Sequence, residues 1–163
     1  MIARLLMRNH PPSQQIGTLS PAFLIGICLM ITGSLVRLHC FRVLGQFFTF
    51  ELSIREKHKL VTSGPYSIVR HPAYTGGVCM QLGHVLVLFD RNSWLVAASG
   101  LFPLDEVFLT QILWCLRVLA TSLPLAIITT RMNNEDAMLE KAFGQEWRAW
   151  AKKVPYKLIP GVY

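Results

Sequence analysis

The chain has 163 residues, of which 52% are hydrophobic and only 15% are charged. In soluble domains about a quarter of all residues are charged. The lower charged fraction of this chain therefore argues against an ordinary soluble domain and is typical of a small integral membrane protein. The net charge of +7 would suit a nucleic-acid ligand, but the basic residues flank apolar segments, as they do in membrane proteins. The sequence contains no arginine-rich helix or aromatic-basic sheet pattern, so we expect no nucleic-acid partner.

The first apolar segment follows a polar tail. Residues 1–18 are interrupted by Pro11-Pro12, and their apolar part is too short for a convincing signal peptide. Residues 19–37 are apolar up to Arg37, which is about the minimum length of a spanning helix. We therefore predict an N-terminal tail over 1–18 and a single membrane domain over 19–163.

Two further segments have the length and composition of membrane spans. They cover residues 72–89 and 107–130. The second of them contains Arg117, whose charged side chain is expected to face other protein groups or to reach the membrane surface. Between them, residues 94–104 are apolar but short, and we interpret them as a re-entrant or interfacial segment. The predicted fold is all-α and membrane-embedded, with about three transmembrane helices and this extra segment.

A polar loop over residues 51–76 separates the first two spans and is too polar to cross a membrane. Gly64-Pro65 predicts a turn, because glycine tolerates positive φ and proline fixes its own φ. His71-Pro72 disfavours helix at His71 and allows a helix to start at Pro72. The loop is therefore expected to feed directly into the second span.

The C-terminal part is amphipathic. Over residues 131–152 the apolar side chains recur every three or four positions, which predicts a helix. Three spans place the 51–76 loop and this helix on the same side of the membrane. The loop region from residue 38 to 71 and the C-terminal tail, which includes Lys153 and Lys157, are both strongly basic, so that side is predicted to be cytosolic. The loop and the helix can therefore build one site.

Arg131 and Glu135 are four residues apart, so they share one face of the predicted C-terminal helix. From spacing alone, a surface ion pair is the simpler interpretation. His58 and His71 could form a metal pair, but neither a third ligand at helical spacing nor a zinc-protease pattern accompanies them. We predict no metal site. The sequence also contains no dinucleotide fingerprint, phosphate-binding loop or serine-hydrolase elbow.

Two motif blocks carry a family resemblance. Leu-Val-Thr-Ser-Gly-Pro-Tyr, followed by Arg-His-Pro-Ala-Tyr-Thr-Gly, lies at residues 60–76. The later block runs from Arg131 through Glu135-Asp136, Gly144 and Trp147 to Pro160. Together they resemble the isoprenylcysteine carboxyl methyltransferase family, and the similarity covers roughly residues 38–163.

The resemblance implies a membrane enzyme that transfers a methyl group from S-adenosylmethionine to the C-terminal carboxylate of a prenylated cysteine. It implies two catalytic residues, Glu135 and Arg131, the latter facing the substrate carboxylate. The cofactor contacts that it implies are Glu51, His58, Lys59, Leu60, Val61, Tyr66, His71, Pro72, Ala73, Tyr74 and Glu135.

The chemistry of these residue types agrees with the implied roles. Aromatic faces and a carboxylate favour the positive charges of the cofactor, and an arginine fork matches a carboxylate. A carboxylate nucleophile is already ionised at neutral pH and needs no general base. One departure is that Asp136 stands where the family commonly has a second glutamate.

The implied partners are prenylated CaaX-type protein C-termini or a lipid-like substrate, together with membrane lipids. The implied location is the endoplasmic reticulum membrane, with the active site facing the cytosol. Two alternatives remain open. A phospholipid methyltransferase would need a base near its amine acceptor, where Arg131 is unhelpful. A truncated, non-catalytic paralogue is suggested by the short N-terminal part.

Overall fold

The computed structural model describes residues 19–47, 59–102 and 105–162. All regular structure in these ranges is helical, which confirms the predicted all-α class. The α-helices are α1 (Pro21–Leu44), α2 (Pro72–Leu88), α3 (Trp94–Ala97), α4 (Glu106–Phe143) and α5 (Gln145–Lys153). Short 3-10 turns lie at Gly45–Phe47 and Gly64–Ser67. Helix α2 begins at Pro72, where the sequence places it.

Two helical segments are long and apolar enough to cross a membrane, Pro21–Phe47 and Glu106–Phe143. Helix α2 has 17 residues. At 1.5 Å per residue it extends for about 25 Å, slightly less than the roughly 30 Å hydrocarbon core of a bilayer. The described residues therefore contain two helices of full spanning length and a shorter apolar one.

The predicted end of the first helix at Arg37 was wrong. Helix α1 continues through Arg37 to Leu44, since arginine is a good helix former, and Arg37 has partners beside the helix. Its Nη1 donates to the carbonyl of Ala73 at 3.1 Å, and its guanidinium lies 5.1 Å from the centre of the Phe41 ring. A charge that is satisfied in this way does not force the helix to end.

The predicted start of a separate helix at Arg131 was also wrong. Helix α4 continues through Arg131 to Phe143, since the change from apolar to polar residues alters the surroundings of a helix and not its backbone hydrogen bonds. The chain breaks instead at Gly144, which has a φ of +51°. Glycine adopts this left-handed backbone at little cost. Helix α5 then starts at Gln145.

The chain divides into two compact units. One contains the described residues of the ranges 1–30 and 81–123, and the other contains those of the ranges 31–80 and 124–163. In the first unit, the buried carboxylate of Asp90 accepts hydrogen bonds from the Ser20 hydroxyl and the Asn92 backbone. The second unit holds both motif blocks, so the candidate site belongs to it alone.

Helices α1 and α2 approach closely through glycines in the second unit. A Cβ atom on Gly76 would lie 2.7 Å from the backbone oxygen of Gly33, and one on Gly33 would lie 2.5 Å from the oxygen of Gly76. Neither backbone can move without separating the helices. This contact fixes the first turns of α2, which carry the Pro72-Ala73-Tyr74 part of the Arg-His-Pro-Ala-Tyr motif.

A proline inside α4 leaves one carbonyl without its helical donor. Pro124 has no N–H for the carbonyl of Ala120, four residues earlier. In the first unit, the Gln81 side chain donates to this carbonyl at 3.1 Å. Because an unpaired backbone group in lipid is costly, Gln81 makes Pro124 tolerable in an apolar helix.

We predict that Gly76→Ala lowers the free energy of unfolding in detergent micelles by about 1–3 kcal/mol, the usual cost of overpacking. Gly77→Ala is the matched control, since its Cβ would meet only the movable Nη1 of Arg37, at 3.0 Å. Alanine also favours helix over glycine by about 1 kcal/mol. Equal effects of the two substitutions would contradict the packing described above.

We predict that Gln81→Leu destabilises the chain by about 1–3 kcal/mol, because the Ala120 carbonyl is left unpaired. In a Pro124→Ala background the helix supplies its own N–H, and the same substitution should then cost much less. Unfolding of the four variants in mixed micelles measures this coupling. An equal cost of Gln81→Leu in both backgrounds would show that Gln81 does not serve the carbonyl.

Candidate active site

The motif loop is held by a tight turn and by one tryptophan. Gly64 has a φ of +60°, which opens the 3-10 turn that contains Tyr66. The Ser67 hydroxyl closes this turn by donating to the carbonyl of Gly64 at 2.7 Å. From α5, the indole N–H of Trp150 donates to the carbonyl of Tyr66 at 3.2 Å. The loop is thereby tied to the C-terminal helix.

An aromatic cluster forms the apolar part of the site. Its buried members are Cys40, Tyr66, Trp147, Trp150 and Val154. Burial, together with the nearby Cys40, Glu135 and Tyr74, raises the pKa of Tyr66 well above its ordinary value, so its phenol stays neutral. Partly buried neighbours pack against the cluster, among them Leu60, Val61 and Ala73.

The C-terminal strap, residues 155–158, fixes the backbone of the second motif. The backbone N–H groups of Arg70 and His71 donate to the carbonyls of Tyr156 and Lys157, both at 2.9 Å. The Thr75 hydroxyl donates to the carbonyl of Leu158 at 2.8 Å. The two backbone bonds satisfy the N–H groups that immediately precede helix α2, and the Thr75 hydroxyl adds a bond from its first turn.

Asp136 is the charged centre of the unit. It lies on α4 beyond the apolar residues 107–130, and its oxygens lie 3.1 Å from Arg70 Nη1, 3.0 Å from His71 Nε2 and 3.8 Å from Lys157 Nζ. Burial alone raises the pKa of this carboxyl. The hydrogen bond and charge of His71, with the charges of Arg70 and Lys157, outweigh burial and hold the pKa below its ordinary value.

The next residue on α4 makes the more exposed contact. The Tyr74 hydroxyl donates to Glu135 Oε2 at 3.1 Å, and it also interacts with Arg131. The Glu135 side chain is 30% exposed, whereas the imidazole of His71 is 2% exposed. Arg131 is exposed as well. A carboxylate, a phenol and a guanidinium therefore meet at an accessible edge of the unit.

This arrangement can bind a ligand that carries both signs of charge. Glu135 can hold a cation, and the Arg131 fork can hold a carboxylate. Tyr74 lies between these two groups and orients both. The aromatic cluster beneath them offers an apolar wall.

The structure places the predicted site residues in two groups. Leu60, Val61, Tyr66 and Ala73 lie on the aromatic cluster. The charged edge contains His71, Tyr74, Arg131 and Glu135, and Pro72 is buried between His71 and Tyr74 as the first residue of α2. Lys59 is exposed, and Glu51 and His58 lie outside the described residues.

Sequence reasoning missed the parts played by Asp136 and Arg70. Asp136 was noted only as a replacement for a glutamate, and Arg70 only as part of a motif. One signal was available. Side chains at adjacent positions of a helix point about 100° apart, so Glu135 and Asp136 cannot both lie on the same narrow face, and one of them can be buried while the other is exposed. Nothing in the sequence indicates which acid is buried.

The isoprenylcysteine carboxyl methyltransferase family model matches residues 24–113, which is more than half of the chain. The match includes the loop motifs and α2. It ends before Arg131, Glu135 and Asp136, so this match says nothing about these three residues.

Several curated proteins are similar over most of the chain. A probable protein-S-isoprenylcysteine O-methyltransferase of Oryza sativa subsp. indica is 27% identical over 80% of this chain and 57% of its own length. Protein-S-isoprenylcysteine O-methyltransferase B of Arabidopsis thaliana is 28% identical, over 80% and 55%. The Schizosaccharomyces pombe enzyme is 32% identical, over 71% and 41%. The chain thus spans about half the length of the curated relatives it matches. It belongs to the isoprenylcysteine carboxyl methyltransferase family.

Proposed function

We propose that this chain transfers a methyl group from S-adenosylmethionine to the C-terminal carboxylate of a prenylated cysteine. The observation that carries the proposal is the contact of the Tyr74 hydroxyl with both Glu135 and Arg131. It joins the loop motif to the C-terminal motif at a point where opposite charges are accessible. Similarity to proteins named for this reaction supports the same substrate class.

The residues present fit the proposed cofactor. S-adenosylmethionine carries an ammonium and a sulfonium cation, and it supplies the methyl group of the reaction when bound. Glu135 offers a carboxylate that is 30% exposed, which suits the ammonium. The rings of Tyr66 and Tyr74 offer the electron-rich faces that favour a cation. Loop residues Glu51, His58 and Lys59 belong to the proposed cofactor contacts through the family resemblance.

Arg131 is proposed to hold the substrate carboxylate. Its planar fork of donors matches the two oxygens, and it keeps its charge at any relevant pH. The ionised carboxylate is itself the nucleophile, so no side chain has to remove a proton. The task left to the protein is to align the carboxylate and to exclude water from it. The aromatic cluster provides the water-excluding wall.

We extend the proposal to topology. The single methyltransferase domain covers residues 19–163, with α1, α2 and the apolar part of α4 as three spans and residues 94–104 as a re-entrant or interfacial segment. The basic 51–76 loop and the C-terminal helices then face the cytosol. The family suggests the endoplasmic reticulum, where prenylated CaaX-type proteins would meet the site from the lipid side.

We predict that the protein in its membrane transfers labelled methyl from S-adenosylmethionine to a farnesylated cysteine analogue. The acceptor carboxylate has a partner in Arg131, whereas an amine acceptor would need a base and would be repelled by that residue. Phosphatidylethanolamine and unprenylated cysteine are the comparison substrates. Transfer to phosphatidylethanolamine instead would establish a lipid methyltransferase, and no transfer to any prenylcysteine would overturn the enzymatic proposal.

We predict that Arg131→Gln raises KM for the prenylcysteine analogue by about tenfold to a hundredfold, the effect of losing a charge-assisted bond. Its affinity for S-adenosylhomocysteine should change much less. Arg148→Gln is the matched control, since Arg148 is an exposed arginine that pairs with Glu140 at 2.8 Å. Equal effects of the two substitutions on KM would remove Arg131 from the substrate site.

A further inference from the structure

An open cleft lies beside the start of helix α4, in the first unit, whereas the candidate active site belongs to the second. Its volume is about 680 Å³. Arg91, from the turn that follows α2, forms one side of the cleft, and a face of α4 forms the other. The cleft residues of α4 are Glu106, Val107, Thr110, Gln111, Trp114 and Cys115. None of them takes part in the proposed methyl transfer.

This face of α4 is open because a different face packs against protein. Leu109 and Leu113 are buried in a cluster with Val96. On the cleft side, Val107 and Trp114 are 68% and 61% exposed. The cleft positions recur every three or four residues, so they share one side of the helix. Since α4 is long and apolar enough to cross a membrane, that side faces lipid in the proposed topology.

The polarity of the cleft face changes along α4 in the order in which a phospholipid changes. Glu106 carries a charge at the start of the helix. Thr110 and Gln111 follow one turn later, and Trp114 follows after two turns. At 1.5 Å per residue, Trp114 lies about 12 Å beyond Glu106, whereas each headgroup layer of a bilayer is roughly 6 Å thick. With Glu106 among the headgroups, Trp114 therefore lies beside the acyl chains.

An ion pair forms the polar end of the cleft. Arg91 Nη1 lies 2.7 Å from Glu106 Oε2, and Arg91 Nη2 donates to the Thr110 hydroxyl. Both charged side chains are at least half exposed. These bonds use two of the five N–H donors of an arginine, and within the described ranges no other group accepts from the rest. The pair is therefore held in place but can still bind an anion on Arg91 and a cation on Glu106.

The charged residues that adjoin the cleft in the sequence have other partners. Arg117 donates to the carbonyl of Phe89 at 2.6 Å. The Asp105 carboxylate accepts from the backbone N–H of Phe108 at 2.8 Å and thereby caps α4, and Asp90 is buried in the bonds described above. Of the charges that the structure describes here, the cleft thus presents one cation and one anion.

We propose that this cleft binds a zwitterionic glycerophospholipid, with its phosphate on Arg91, its ammonium on Glu106 and an acyl chain along Trp114. Such a headgroup carries both charges that the ion pair can bind. An anionic lipid without an ammonium would leave Glu106 facing a phosphate, and diacylglycerol would leave both charges unused. The site goes beyond the proposed methyl transfer and requires only that α4 crosses the membrane.

Quenching of tryptophan fluorescence by brominated lipids tests the proposal. The protein is reconstituted in phosphatidylcholine bilayers, to which brominated phosphatidylethanolamine, phosphatidylglycerol or diacylglycerol is added. The difference between the wild type and Trp114→Phe isolates the quenching at Trp114. There, phosphatidylethanolamine should be preferred over each of the other two by about threefold to tenfold, the effect of a net hydrogen bond. Trp94 is exposed but does not line the cleft, and the same difference for Trp94→Phe should show no preference.

Two substitutions separate the two charges. Glu106→Gln should remove the preference for phosphatidylethanolamine over phosphatidylglycerol, because no carboxylate is left to bind the ammonium or to repel the phosphate. Arg91→Gln should weaken both phospholipids relative to diacylglycerol by about threefold to tenfold. Arg148→Gln and Glu140→Gln are the matched controls, since these residues form another exposed ion pair at 2.8 Å. Both controls should leave the lipid preferences unchanged.

The outcomes are distinct. Equal quenching at Trp114 by all three lipids would mean ordinary bilayer contact and would overturn the proposal. Absence of quenching would show that protein covers Trp114, for example a second copy of the chain, and would also overturn it. Preferences that survive both Arg91→Gln and Glu106→Gln would remove the ion pair from the site. If a variant does not fold, the order of the three lipids at Trp114 of the wild type still decides. Each of these results leaves the proposed methyl transfer untouched.

Discussion

The packing of the second unit depends on one buried carboxylate, which forms hydrogen bonds and ion pairs with separate parts of the chain. Asp136 contacts Arg70 and His71, which immediately precede α2, and Lys157 in the C-terminal strap. Removing one partner from such a buried cluster is costly, because the remaining charge is left without compensation. The strap adds backbone bonds to the same residues. The motif on α2 is therefore held in a fixed position against α4.

The candidate site has a buried supporting layer and an accessible outer layer. The supporting layer is buried and consists of Asp136, His71 and the aromatic cluster around Trp147 and Trp150. The outer layer contains Tyr74, Glu135 and Arg131, which remain partly or largely exposed. Adjacent positions on one helix serve both layers, since Glu135 is accessible and Asp136 is not. Of this acidic pair, only Glu135 is available for contact with a ligand.

Much of the local structure could be predicted from the sequence. Pro72 fixes the start of α2 and Gly64-Pro65 fixes a turn, because both effects depend only on neighbouring residues. Length and apolar composition identified the helices. The errors at Arg37 and Arg131 share a cause: a change from apolar to charged residues alters the surroundings of a helix but not its backbone hydrogen bonds, and arginine is a good helix former. The bonds of Asp136 join residues about 65 positions apart, beyond the reach of any periodic pattern.

The central claim is that the loop motif and the C-terminal motif form one catalytic site through Tyr74 and Glu135. A double-mutant cycle with Tyr74→Phe and Glu135→Gln, measured as kcat/KM for methyl transfer, tests it most directly. Residues in contact are coupled, whereas independent residues have additive effects. The account predicts that the double variant is little worse than the more damaging single one. Losses that multiply would show that the two motifs act separately.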